Sequence, residues 1–189
     1  LLSLPGDHQY INAATSIETI LKIEAPKVNQ ASIQEAIKTA KWPGRLEKVN
    51  SGTIVNILGN NSQIWLDGAH NQGGAYVLSE WLKSKKFSIP VFLVFGVTKG
   101  RNCHNFLEYF SGLVDEVCGV TVSNEPSSYS GNFVASEAEK MNLSAKGFDL
   151  LEDAIYYIAN KISSPCCVIV TGSLFLVGEF MEKNFNMKV

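Results

Sequence analysis

From Gln63 onward the sequence alternates between apolar runs too short for a helix and longer segments of helical period, and few folds accept that alternation. Gln63–Leu66, Val91–Phe95, Glu116–Val120 and Cys167–Val170 read as strands, with Ala145–Phe148 as a shorter one. Between and after them, Gly73–Lys85, Cys103–Leu113, Ser136–Met141, Leu151–Ile162 and Leu174–Phe185 carry the spacing of helices. A strand followed by a helix, repeated, predicts an α/β domain: a mostly parallel sheet with helices on both faces. Just ahead, Thr53–Leu58 reads as a strand joined to Gln63–Leu66 by the turn Gly59-Asn60-Asn61, a hairpin at the start of the sheet.

The first forty residues follow a different pattern. After the turn Leu4-Pro5-Gly6-Asp7, apolar residues at Ile11, Ala14, Ile17, Ile20 and Leu21 predict a helix over about 8–23, stopped before Pro26. A second helix is expected over Ser32–Lys41, with Ser32 as its N-cap and Glu35 completing a capping box. Trp42-Pro43-Gly44-Arg45 breaks it and is the best linker candidate. The expected division is a helical tail over 1–41, a linker or hinge over 42–46, and a domain over 47–189. The chain opens on Leu1 rather than Met, and its first dozen residues resemble the interior of a protein, so a fragment is expected.

Composition narrows the function. A net charge of −2 lacks the basic excess that a nucleic-acid or membrane partner would call for. No apolar run reaches the length of a membrane span, and no secretory leader pattern is present. The four cysteines form no C-x-x-C pair. Cys166 and Cys167 would point to opposite faces of a strand, so they read as buried free thiols in a reducing, cytoplasmic setting.

Chemistry concentrates in loops that follow strands. Asp67-Gly68-Ala69-His70-Asn71 places a carboxylate, an imidazole and an amide ahead of a helix, at the sheet edge where such folds bind ligands. Asp67 and Asn71 also suit plain turn and capping roles. Thr171-Gly172-Ser173 has the same strand-to-helix form, with Ser173 well placed as an N-cap. A third loop, Thr98-Lys99-Gly100-Arg101-Asn102, is basic. Arg45 sits on a rigid turn, where its planar fork suits phosphate oxygens or a neighbouring Glu47. Asn12 is an amide within an apolar helix, unusual without a specific partner. No phosphate-loop motif, dinucleotide fingerprint or zinc spacing occurs, so the loops look like half of a site.

Five motifs, in order, resemble a known family: Gly6-x-His8-Gln9-x-x-Asn12-Ala13, Trp42-Pro43-Gly44-Arg45-Leu46-Glu47, Leu66-Asp67-Gly68-Ala69-His70-Asn71, Val94-Phe95-Gly96 and Thr171-Gly172-Ser173-Leu174. The set is similar to the C-terminal half of folylpolyglutamate synthase and the bifunctional dihydrofolate synthase, in the Mur ligase superfamily. The resemblance implies a Rossmann-like C-terminal domain preceded by a short helical tail of the central domain. It implies ATP-dependent addition of L-glutamate to folate or dihydropteroate through an acyl phosphate. ATP and Mg²⁺ follow as cofactors, with Mg²⁺ held mainly by an absent N-terminal part, the domain's partner in a monomeric enzyme. On this resemblance Asn12, Arg45 and Asp67 align with ATP contacts, and His70 and Ser173 with active-site residues near the incoming glutamate; no metal ligand is implied here. The piece alone is expected to be inactive. Two departures stand out: the third loop lacks the family's D-K-D, and Phe175 stands where tyrosine is common. A cell-wall Mur ligase domain remains an alternative, although that branch generally carries tyrosine at the position of Gly68. A non-catalytic Rossmann-like binding module is another.

Overall fold

The computed structural model describes residues 2–23, 28–59, 61–162 and 165–186. A six-stranded sheet runs in the order β1-β2-β6-β3-β4-β5. Its strands are β1 (Glu47–Val49), β2 (Gln63–Leu66), β3 (Val91–Phe95), β4 (Glu116–Val120), β5 (Ala145–Phe148) and β6 (Cys167–Thr171). β1 pairs antiparallel with β2, and every other pairing is parallel. Strands β3, β4 and β6 are buried along their whole length, which is why they read as unbroken apolar runs.

Among the described residues, each face of the sheet carries three α-helices. Side chains of β2, β3, β4 and β6 that point one way pack with α3 (Thr53–Leu58), α7 (Leu151–Lys161) and α8 (Leu174–Phe185). Those pointing the other way pack with α4 (Gln72–Lys85), α5 (Cys103–Leu107) and α6 (Gly131–Glu139). Cys166 belongs to the first core and Cys167 to the second, as strand alternation requires. All four thiols are buried and free. Burial pushes the thiol of Cys103 up to about 11, and those of Cys118 and Cys167 up to about 12, so they are packing groups rather than nucleophiles.

The opening of the sheet differs from the sequence expectation. Thr53–Leu58 is a helix, not a strand, and the antiparallel partner of β2 is Glu47–Val49, with that helix in the connection between them. The β-branched composition of 53–58 favoured a strand, but tertiary contacts override it. Ile54, Val55 and Leu58 share one buried helical face, against α7 and α8. The buried amide of Asn184 accepts from Ile54 N (2.9 Å) and donates to Ser51 O (2.8 Å), supplying from α8 the cap that the local sequence lacks. Asn60, in the expected turn, lies outside the described residues.

The tail forms α1 (His8–Lys22) and α2 (Gln30–Thr39). The residue capping α2 is Asn29 rather than Ser32: Asn29 Oδ1 accepts from Ser32 N, and Ser32 Oγ accepts from Asn29 N. The expected box was therefore one turn out of phase. Pro26 lies outside the described residues. Ser3 closes the pair by donating through Oγ to Ala40 O (2.7 Å). Elsewhere α6 starts five residues earlier than expected, because Ser130 caps it by accepting from Phe133 N. α5 ends early and passes into a short 3-10 turn over Glu108–Phe110. Among the described residues no helix is long and apolar enough to cross a membrane.

Candidate active site

The loops after β2, β6 and β3 leave the carboxyl edge of three neighbouring strands. β6 sends α8 to one face, while its neighbours β2 and β3 send α4 and α5 to the other. Diverging helices of this kind open a crevice at the sheet edge. His70 comes from the β2 loop and Ser173 from the β6 loop. Gly172 N donates to Ala69 O at 2.9 Å, and Thr171 Oγ donates to the same oxygen at 3.3 Å, so the two loops are stitched together. Only glycine fits at 172: its φ is +105°, and a Cβ would sit 2.6 Å from Gly96 O.

Local bonds fix the state of both side chains. His70 Nδ1 lies 2.8 Å from Gly68 O, and because a carbonyl only accepts, Nδ1 carries the proton. Its Nε2 is left with a free lone pair. Ser173 is buried, and its oxygen accepts from Phe175 N at 3.0 Å, which leaves the hydroxyl proton free to donate. Ser173 thus caps α8 as expected and still keeps a donor. Asn71 caps α4 by accepting from Gly74 N, the structural role its sequence position allowed.

Asp67 faces inward. Oδ2 accepts from Leu46 N (2.9 Å) and Oδ1 from Ala69 N (2.8 Å). Leu46 is buried and has a φ of +47°, a left-handed conformation uncommon for a branched side chain, and the Asp67 bond holds it there. Glu47 closes the same turn by accepting from Gly44 N at 2.9 Å, and Gly44 O accepts from Gly68 N at 2.8 Å. The Trp42–Glu47 motif is therefore one fastened turn, with Arg45 presented at its apex. Burial raises the Asp67 carboxyl above its ordinary value, opposed by the two backbone bonds and by Arg45 and His8. Burial likewise lowers the His8 imidazole, against the pull of Asp67.

Arg45 and Asn12 meet at a cavity of about 420 Å³ between the tail and the turn. Ile17, Ile33 and Ile37 give it apolar walls, while Gln9, Asn12 and Arg45 add polar groups. Asp67 stands behind the turn rather than in this cavity. The expected residues thus fall in two places: His70 and Ser173 on loops at the carboxyl edge of the sheet, and Asn12 and Arg45 at the cavity, with Asp67 fastening the turn that carries Arg45. Sequence reasoning missed Leu46 and Gln9 as partners of this site; for Glu47 the signal was present, three residues after a turn glycine. Lys99 and Arg101 are exposed on the third loop, which is braced by Lys99 N donating to Ser127 O. Among the described residues no group of three or more His, Cys, Asp or Glu could hold a metal ion.

Comparison with known proteins identifies the family of the domain. The model of the dihydrofolate synthetase C-terminal domain matches residues 50–183. A dihydrofolate synthase/folylpolyglutamate synthase of Bacillus subtilis is 26% identical over 185 residues, spanning 96% of this chain and 40% of that protein. Folylpolyglutamate synthase from Thermotoga maritima is similar with a TM-score of 0.70 and 30% identity, over 95% of this chain and 40% of that one. E. coli FolC, solved with DHPP and ADP, gives a TM-score of 0.77 at 22% identity, over 96% and 39%. The chain spans about 40% of the length of the relatives it matches.

Proposed function

The chain belongs to the dihydrofolate synthetase C-terminal domain family, and from that premise we propose that it is the C-terminal part of an ATP-dependent ligase that adds L-glutamate to folate or dihydropteroate. The reaction is amide formation through an acyl phosphate: the folate or dihydropteroate carboxylate takes the γ-phosphoryl group of ATP, and the glutamate amine then displaces phosphate. The observation that carries this reading is the fastened turn. It sets Arg45 at the rim of the cavity while its anchor, Asp67, belongs to the loop that also presents His70. One rigid unit thus serves both a nucleotide and an attacking amine.

Each side chain has a role its bonds permit. Arg45 offers a guanidinium fork to phosphate oxygens, and Asn12 offers an amide to the nucleotide. Asp67 acts through backbone, holding the strained Leu46 and so the aim of Arg45. His70, protonated at Nδ1, can take a proton at Nε2 from the glutamate amine as it attacks. The Ser173 hydroxyl donates to a substrate oxygen. Mg²⁺, which in such reactions neutralises phosphate charge, has no set of holding residues among those described here.

The remainder of the ligase, roughly the preceding three-fifths judged from the relatives, is the partner this reading requires. We assign 1–41 to the tail of the central domain, 42–46 to the linker and 47–189 to the C-terminal domain. Gly44 is bonded to Glu47 and Gly68, so swinging of one domain against the other is confined to Lys41–Pro43. The test is a chimera carrying this chain behind the N-terminal portion of the Bacillus subtilis relative. Glutamate-dependent ADP release is expected, falling at least about tenfold in Arg45→Ala and His70→Ala, as loss of a positioning or acid–base group gives. Wild-type rates in both variants would overturn the proposal.

A further inference from the structure

The amide of Asn12 is not free to choose its orientation. Gln9, one turn earlier, is the only buried residue in the described part of α1, and it is polar. Its Oε1 accepts from Asn12 Nδ2 at 3.0 Å, and its Nε2 lies 2.9 Å from His8 Nε2. These contacts determine one another. An amide whose oxygen is taken as acceptor must donate through its nitrogen, so His8 Nε2 must accept. The proton of the neutral ring then sits on Nδ1, which is buried without a partner. An unpaired buried donor is costly, so the three residues hold this sense against a local penalty.

We propose that Gln9 is a positioning residue that fixes the Asn12 amide for adenine. With one N–H committed to Gln9, Asn12 keeps Oδ1 and a single N–H for the cavity it lines. That acceptor–donor pair matches the amino group and N7 of adenine. Hypoxanthine and guanine present two acceptors on the same edge and leave Asn12 Oδ1 facing O6. An unrestrained asparagine could rotate and offer its amino group to either base; Gln9 removes that freedom. The inference rests on the nucleotide reading above and adds the residue that sets its base selectivity.

Two measurements test it on this chain. The first needs no nucleotide: the ¹⁵N spectrum of His8 should show the Nδ1–H tautomer, and Gln9→Leu, which keeps the bulk but not the amide, should return it to the commoner Nε2–H form. The second is an NMR titration with ATP and with ITP at millimolar concentrations. The wild-type chain should prefer ATP by about tenfold, the scale of one well-made bidentate base contact. Gln9→Leu should bring that ratio close to one. Gln9→Glu, which still accepts from Asn12, should retain the preference and shows that the loss is not one of folding. An Nε2–H tautomer in the wild type, or an unchanged ratio in Gln9→Leu, overturns the role of Gln9 while leaving the nucleotide reading standing. Where this chain alone, as half of a site, gives no ATP-dependent shift, the ATP-to-ITP ratio is read in the chimera described above; absence of any ATP-dependent turnover there overturns both.

Discussion

Residues 2–41 and residues 44–186 are both rich in helix, yet they are held together by different means. In the sheet domain the strands and six helices bury their apolar faces on one another, and three strands are enclosed from end to end. In the tail, Gln9 is the only buried residue among the described residues of the two helices, while Ile11, Leu21 and Ile23 stand exposed. The tail owes its shape to hydrogen bonds: the local Asn29–Ser32 box and Gln9 relay, and the closure by Ser3 onto Ala40, 37 residues away. The difference teaches that apolar periodicity alone does not create a core. The same pattern is satisfied inside the sheet domain and unsatisfied in the tail, where the apolar residues face a cavity and solvent.

The most severe way to break this comparison is to cut matching side chains from both regions. Ile169→Ala, in the fully enclosed β6, should cost about 2 to 5 kcal/mol in urea unfolding. Ile17→Ala in the tail should cost less than about 1 kcal/mol. Equal losses would mean that the tail shares the cooperative core. Asp67→Ala probes the seam between the regions. It strips two backbone amides of their acceptor and frees Leu46, with an expected loss of about 2 to 3 kcal/mol. A loss below half of that would show that packing alone keeps Leu46 in place.

A subtler contrast comes from the capping box. Asn29→Ala should weaken α2 by about 1 kcal/mol. Hydrogen exchange should quicken in α2 while the global urea midpoint stays put, because the tail opens independently. A shift in the midpoint would contradict that independence. The smallest effect is a pH dependence. The folded chain holds the Asp67 proton to higher pH than the unfolded chain, since burial raises this carboxyl. Its contribution to stability is therefore greatest below the ordinary carboxylate range and declines as pH rises through the raised value. Subtracting the profile of Asp67→Asn from that of the wild type should isolate this decline; parallel profiles would remove it.

Much of the sheet domain was legible because its strands are enclosed and its helices periodic: β2, β3, β4 and β5 and the final helix fall on the expected residues. The beginning of the sheet was not. Thr53–Leu58 becomes a helix through Asn184, some 130 positions away, and no local pattern encodes that cap. β1 is three residues long and too short to show alternation. The site divides in the same way. His70, Ser173 and Asn71 lie in loops whose position follows from the strand–helix alternation, and Arg45 on the Pro-Gly breaker that ends the tail. The clamp of Asp67 on Leu46 was hidden because it spans 21 residues, and Gln9 because a glutamine in a helix reads as surface.

Cys166 and Cys167 are consecutive in the chain but lodged in opposite cores. A thiol-trapping reagent can reach each one only when the layer of helices over it lifts away from the sheet. Two neighbouring atoms therefore serve as separate clocks for the two sides of the domain. Matched trapping rates would describe a domain that opens as one body. A faster rate at one cysteine would identify the side that peels first, and with it the order in which the two layers are laid down during folding.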